Sequence, residues 1–468
     1  MSAHGEAPAA PPQLSRAATG TAAPVDTYAS RRDRLAEALR GARGQNVGLA
    51  KETSNLFRDR TPQAKYRIDA RNFDHVLSVD AARGLVDVEG MATYEGLVAA
   101  TLADGVMPAV VPELKTITIG GAAAGVGIEA SSFRFGLVHE TLAEYDVLLA
   151  DGAIVTCRPD NEHADLFYGF PNSYGTLGYA LRVRARTVPV KAYVELTHRR
   201  FAAADRCFDA LREGCASDAD FIDAVAFGPR DLVLNVCRFV AQAPYTSDYT
   251  YENIYYRSLT GRELDYLSTR DFIWRWDTDW FWCSKNVGAQ NPLLRRLYGR
   301  RRLGSRQYQR IMRWNSRHGY SRAWFGLRGG HHESVIQDVD IPVDAAPRFL
   351  EFFQREIGIA PVWLCPVRAS PGAAHFALYP MQPSALYVNF GFWDVLHRPT
   401  AHPPGHFNRL IEAEVTRLGG IKSLYSDSYF ARDEFDRAYG GDAYRALKAK
   451  YDPSGAFPDL YAKCVLRR

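Results

Sequence analysis

The chain has 468 residues, 47% hydrophobic and 24% charged, ordinary globular proportions that exclude a disordered, fibrous or disulfide-scaffold protein. Lys plus Arg number 57 against 53 Asp plus Glu, and the net +4 is too small for nucleic-acid binding to be read from the total. Seven dispersed cysteines without a C-x-x-C predict reduced thiols, no apolar run reaches the ~18 residues of a membrane span, and no secretory pattern opens the chain, so a cytoplasmic protein is expected.

Met1–Pro24, rich in Ala, Pro and Gly, predicts a disordered tail. Ser30–Arg43 reads as a short basic helix stopped at Gly44, and globular patterning starts near Asn46. His75–Val79 and Leu85–Glu89 read as a hairpin turning at Asp80–Gly84. Thr93–Leu102 reads as a helix ended by Asp104-Gly105, and Val106–Val111 as a strand. Thr116–Gly127 is Gly-rich. Tyr145–Ala150 and Ala153–Cys157 flank Asp151-Gly152, a strong hairpin signal. Ser173–Thr187 runs through Gly175 and Gly178 into a strand with alternating arginines. From Lys191 the chain reads as a second α+β unit: a helix at Ala202–Gly214, two strands around Gly228-Pro229, strands at Ser334–Pro342, Ala360–Cys365 and Leu386–Phe392, and helices at Asp344–Ile357 and His406–Leu418. A last helix is expected at Arg432–Tyr439.

Gly125-Val126-Gly127-Ile128-Glu129-Ala130 fits G-x-G-x-x-A. A dinucleotide fingerprint requires that loop to open a helix, and the Ser131–Gly136 stretch that follows is a poor helix former. Closely spaced glycines also suit a backbone cradle for phosphate, or a tight structural loop packed on a sheet. No G-K-[ST] supports a nucleoside-triphosphate site.

VVPELKTITIGGAAAGVGIEASSFRFGL, YDVLLADGAIV, DLFYGFPNSYGTLGYALRVRA and YDPSGAFPDLYAKC, with HHESVIQDVDIPV, PVWLCP, LYVNFG and LYSDSYFARDEF, resemble the vanillyl-alcohol-oxidase-type (PCMH-type) FAD-binding flavoproteins, closest to the sterol Δ24-reductase branch. The resemblance runs from about Asn46 to the C-terminus. It implies an α+β protein: a tail and helix over 1–45, a two-part FAD-binding domain over 46–190, a cap or substrate domain over 191–420, and a return to the flavin domain over 421–468. It places cofactor contacts at Pro112, Thr118, Ile119, Gly120, Gly121, Ala122, Gly125, Val126, Gly127, Ile128, Glu129, Ala130, Ser131, Gly136, Gly175, Gly178 and Val183. Gly48–Arg58, in the place of the first flavin loop, holds no His or Cys, and Val126 stands where some relatives carry His. Non-covalent FAD is therefore expected. Lys51 and Glu52 are the unusual charges of that loop.

The resemblance implies NADPH-dependent reduction of a C=C bond in a sterol-like or other lipid. Alternatives are an FAD-linked oxidase or dehydrogenase of an alcohol, sugar or hydroxy acid, and a non-catalytic lipid-binding form of the fold. Reduction needs an acid to protonate one carbon. The candidates are Asp338 and Gln337, with His331 and His332 just before them, and Tyr425, Asp427 and Tyr429, which share one face if LYSDSYF is a strand. Asp338 and Asp340 likewise share a strand face, which points into a cleft or into water. HPPGH at 402–406 lacks helical ligand spacing, so no metal is expected.

Phe272, Trp274, Trp276, Trp280, Phe281 and Trp282 are followed by seven arginines up to Arg310. The 272–310 segment reads either as a peripheral membrane dock or as a Trp-rich core beside a solvated Arg helix. A nucleic-acid groove is a third reading, weakened by the near-neutral charge.

Overall fold

The computed structural model describes residues 26–41, 45–51, 57–58, 65–318 and 329–468. The expected tail, Gly44 and Glu52 lie outside them. The molecule is α+β, as the sequence predicts, and is built on two sheets.

The first sheet runs β3 (Val76–Asp80), β4 (Leu85–Glu89), β8 (Tyr179–Pro189), β6 (Leu142–Leu148) and β7 (Ile154–Cys157), with β5 (Val106–Pro108) pairing the end of β8. Both predicted hairpins form, β3–β4 and β6–β7. Strand β8 explains its alternating arginines. Leu181, Val183 and Ala185 point into the core, and Arg182 points the other way. There it bonds Asp87 at 2.6 Å and Asp146 at 2.9 Å, and also holds Glu144. Beside this sheet, β1 (Val47–Ala50) pairs in parallel with β2 (Tyr66–Asp69).

The second sheet has eight antiparallel strands in the order β12 (Leu264–Ser268), β9 (Tyr193–Phe201), β11 (Asp231–Val240), β10 (Phe221–Gly228), β14 (Val362–Arg368), β15 (Leu386–Arg398), β13 (His331–Pro342) and β16 (Ile421–Lys422). One face carries Leu234, Val339, Leu364 and Phe390 against the helices Ala204–Cys215, Ala346–Phe352 and His406–Arg417. The other face carries Val225, Val233, Trp363, Cys365 and Val367, which join the core of the first sheet. The site lies where this second face meets the Gly-rich segment.

Three local expectations change. The Gly-rich segment is not wholly loop: Ile119–Ala124 forms a short helix, with Thr118 at its N-cap. Ser132–Phe135 makes one helical turn, closed at Gly136 with φ 75°. LYSDSYF is no strand, because only Ser426 makes an isolated bridge, to Phe57.

The aromatic run forms a buried knot. Trp276 is stacked on Phe281 at 4.7 Å, and Phe281 lies 4.4 Å from Trp393 and 5.4 Å from Trp363. Trp276 and Trp282 are at most 1% exposed. These rings therefore form a Trp-rich core and are not themselves a surface for a membrane. All seven cysteines are free thiols, six of them buried.

Candidate active site

A cavity of about 470 Å³ lies between the Gly-rich segment and the second sheet, within the range of small-molecule and cofactor pockets. Its first wall is the glycine segment. Thr118 Oγ1 accepts the Gly121 N–H at 3.2 Å and fixes the turn. At Gly120 a Cβ would meet Gly90 O at 2.7 Å and Ala180 O at 2.9 Å, so only glycine lets this helix lie against β8.

Beyond the helix, Gly125–Ile128 has no regular structure and lines the cavity. The N–H groups of Val126, Gly127 and Ile128 donate to no protein acceptor among the described residues. Consecutive amides without a protein acceptor, on half-buried residues that line a cavity, suit a phosphate or a ring carbonyl as acceptor. Lys65 and Arg67, beside Gly48, add positive charge to the same cavity.

The opposite wall is aromatic and acidic: Trp280, Phe281, Trp363, Trp393, Tyr425 and Asp338. Alternation along β13 sets which side chains reach it. Val335, Gln337, Val339 and Ile341 face the helices, and Gln337 Nε2 donates to Asn408 Oδ1 at 2.5 Å. Gln337 is fully buried there and does not reach the cavity, which corrects its candidacy as an acid. Asp338 and Asp340 face the other way.

Asp340 is fully satisfied: Tyr379 O–H donates to Oδ2 at 2.6 Å and Asn389 Nδ2 to Oδ1 at 2.9 Å. Burial pushes its carboxyl up to about 6. Asp338 lines the cavity, and its Oδ1 is shielded from solvent with no hydrogen-bond partner. Burial pushes the Asp338 carboxyl up to about 7, a rise that the neighbouring Tyr425 hydroxyl partly offsets. An acid titrating near neutrality is suited to moving a proton at physiological pH.

The 425–429 loop divides. Tyr425 turns to the cavity, where its hydroxyl accepts from Trp393 Nε1 at 3.0 Å. Asp427 and Tyr429 turn toward Arg467, at 3.6 Å and 3.0 Å, and do not line the cavity. The loop is held by a buried pair, Lys422 Nζ to Glu412 Oε1 at 2.7 Å, and both Glu412 oxygens accept the Tyr429 N–H at 3.1 Å. His331 and His332 sit at the far end of β13, where His331 pairs with Glu333.

Of the sequence-nominated cofactor residues, Pro112, Thr118, Gly120, Gly121, Ala122, Gly125, Val126, Gly127, Ile128 and Gly175 line the cavity. Ile119, Ala130, Gly178 and Val183 pack in the protein beside it. Ser131 Oγ donates to Ala109 O at 2.7 Å, and Gly136 ends its helical turn. Glu129 faces a buried ion cluster instead. Arg275 there contacts Glu129 at 2.8 Å, Asp223 at 2.9 Å and Glu113 at 3.1 Å, tying the Gly-rich segment to the second sheet. Glu113 also lines the cavity; burial and the neighbouring Glu129 push its carboxyl well up. Sequence reasoning did not nominate Glu113, Tyr174, Trp363 or Trp393. The 272–282 aromatic cluster signalled only Trp280 and Phe281 of this wall; the other residues come from distant segments.

Residues 27–158 match the family profile described as an FAD binding domain. The chain carries a PCMH-type FAD-binding domain. The unpaired amides and the glycine packing fit that group. Over 84% of this chain and 76% of theirs, it is 28% identical to the Delta(24)-sterol reductase of Homo sapiens. It is 25% identical to that of Pisum sativum over 85% and 76%. Cytokinin dehydrogenase 7 of Oryza sativa subsp. japonica is 30% identical over 29% of this chain and 26% of that protein. The match to an FAD-binding domain thus covers 27–158, and the similarity to the sterol reductases extends over most of the chain. No helix among the described residues is long and apolar enough to cross a membrane.

Proposed function

We propose that this flavoprotein reduces a C=C bond of a sterol-like or other lipid substrate with NADPH as electron donor. The observation that carries the reading is Asp338, an acid titrating near neutrality in an aromatic wall of the cavity. The Delta(24)-sterol reductase relatives support the substrate class.

FAD, when bound, supplies hydride transfer. The Val126–Ile128 amides and Lys65 and Arg67 would hold its polar parts, non-covalently, since Gly48–Arg58 offers no His or Cys. Trp280, Phe281, Trp363 and Trp393 exclude water and offer an apolar surface to the alkene. Protonated Asp338 holds the proton at its carboxyl oxygen for the second alkene carbon, and Tyr425 orients that carboxyl. On this reading 191–420 is the substrate cap, and 421–468 returns to deliver Tyr425.

The test is an anaerobic titration of the purified yellow protein with NADPH, followed by an unsaturated sterol or lipid. Bleaching by NADPH and reoxidation by the alkene, with one saturated product, is expected. Bleaching by an alcohol without NADPH would instead favour the oxidase or dehydrogenase reading, in which ionised Asp338 acts as a base. A preparation that takes up no FAD would favour a non-catalytic lipid binder.

A further inference from the structure

The segment 280–318 contains one lysine and nine arginines and no acidic residue. Its two longer helices, Pro292–Tyr298 and Ser305–His318, are built inside out. In the first, the inward residue is Arg295, only 2% exposed. Its guanidinium holds Asp279 at 2.7 Å and the Ala289 carbonyl at 3.0 Å. The outward residues are Leu293 and Leu297, one turn apart and 72% and 77% exposed, with Leu294 at 44%.

In the second helix the inward residues are polar or amphipathic. Ser305 holds Asp277, Tyr308 O–H donates to Thr278 O at 2.9 Å, and Gln309 bonds Thr116 at 3.0 Å. Trp314, 56% exposed, points outward with Ile311 and Met312. Soluble proteins do not gain by turning leucines and a tryptophan to water while burying an arginine. Such an inversion marks a surface that another apolar phase completes.

Charge selects the phase. Arg301, Arg302 and Arg310 are exposed among these apolar side chains and have no acidic partner among the described residues. The neighbouring Arg296, Arg300 and Arg306 are paired with Glu252, Asp248 and Glu95, so the free positive charge of the face rests on Arg301, Arg302 and Arg310. In a two-fold dimer this face would meet its own positive charge. A nucleic-acid backbone offers the leucines nothing. An anionic bilayer takes both, leucines and Trp314 into the acyl boundary and guanidinium groups among the head groups.

We infer that the Leu293–Leu297 and Trp314 face, with Arg301, Arg302 and Arg310, docks the protein on an anionic lipid surface. The inference does not depend on which substrate the cavity takes. It has a geometric consequence, because Gln309 bonds Thr116 and Thr116 lines the cavity. The docking helix and the pocket therefore share a wall.

Co-sedimentation of the full chain with phosphatidylcholine vesicles, with and without phosphatidylserine, tests it. Binding only to the phosphatidylserine vesicles, falling with salt, is expected. The pair Leu293→Gln and Leu297→Gln should weaken it by at least about tenfold, and each of Arg301→Gln and Arg302→Gln by about fivefold. These positions are exposed and outside the cavity, so an unchanged melting temperature and flavin spectrum confirm the fold. Absence of binding, or equal binding to neutral vesicles, overturns the inference. So does a dimer in sedimentation velocity that the leucine pair abolishes, which assigns the face to a second copy. Retention on heparin matching the vesicle binding, with the leucine pair inert, reassigns it to a polyanion.

Discussion

Gly391 lies directly opposite Asp338 across the β13–β15 ladder, and a Cβ at 391 would sit 2.7 Å from Asp338 Oδ1 and 2.5 Å from the Trp393 ring. A strand interior disfavours glycine. This one keeps the space in which Asp338 and Trp393 meet the cavity. Gly391→Ala should fold, at a cost of about 1–3 kcal/mol from overpacking. It should also displace the carboxyl and, on the proposed function, lower turnover more than FAD uptake. Denaturant unfolding, flavin absorbance and steady-state turnover on the same preparation separate these effects. Equal losses in all three would contradict the role given to Gly391.

Asp338 predicts a pH dependence with a definite sign. Its folded value, about 7, lies above its ordinary 3.8. The folded state therefore holds the proton more tightly than the unfolded state. Ionising Asp338 costs stability progressively as pH rises between those values, and the cost is complete above about 7. The proton-donating form is lost over the same rise, so turnover should fall as pH passes about 7. Asp338→Asn should lower turnover by about 10²–10⁴-fold and remove that limb. At pH above neutrality it should be at least as stable as the parent, because no charge is buried. A full-rate Asn variant with an unchanged profile would move the donor elsewhere.

Lys422 and Glu412 form a buried pair beneath the Tyr425 loop, 0% and 4% exposed in their side chains. Lys422→Met strands Glu412 and should cost about 3–5 kcal/mol. Replacing both, Lys422→Met with Glu412→Leu, should recover most of that stability. Turnover should not recover equally, because Glu412 also takes the Tyr429 N–H and the loop then loses its anchor. Urea midpoints and turnover for the single and double variants decide between the two outcomes.

Local patterning made much of this molecule legible. Asp-Gly marked the β6–β7 turn, and period-two burial in β13 correctly put Asp338 and Asp340 on one face. The same rule failed at 425–429, where Lys422 and Glu412 draw the chain into a loop and period two no longer applies. Gln337 was nominated for its nearness to Asp338, but adjacent strand residues point to opposite faces. The aromatic wall was invisible for a different reason. Trp280, Trp363 and Trp393 come from three distant segments, and only the antiparallel register of β14 and β15 brings the last two together. Glu113 is legible as an acid in PEL, but its elevated carboxyl comes from burial and from the neighbouring Glu129, against the opposing pull of Arg275, and that meeting is tertiary.

Gly127 tests the cofactor cradle separately from the chemistry. A Cβ there would meet Val138 Cγ2 at 2.8 Å and Pro112 Cγ at 3.0 Å, so Gly127→Ala should push the Val126–Ile128 segment away from these two side chains. Displacing amides that await an acceptor weakens each hydrogen bond by about 0.5–1.5 kcal/mol. Two such bonds correspond to a loss of FAD affinity of roughly 5- to 150-fold. Fluorescence quenching of FAD on titration with apoprotein measures it. Excess FAD should restore both colour and turnover, since Asp338 and Tyr425 stand on the opposite wall and are untouched. A variant that binds FAD as tightly as the parent would show that these amides do not hold the cofactor.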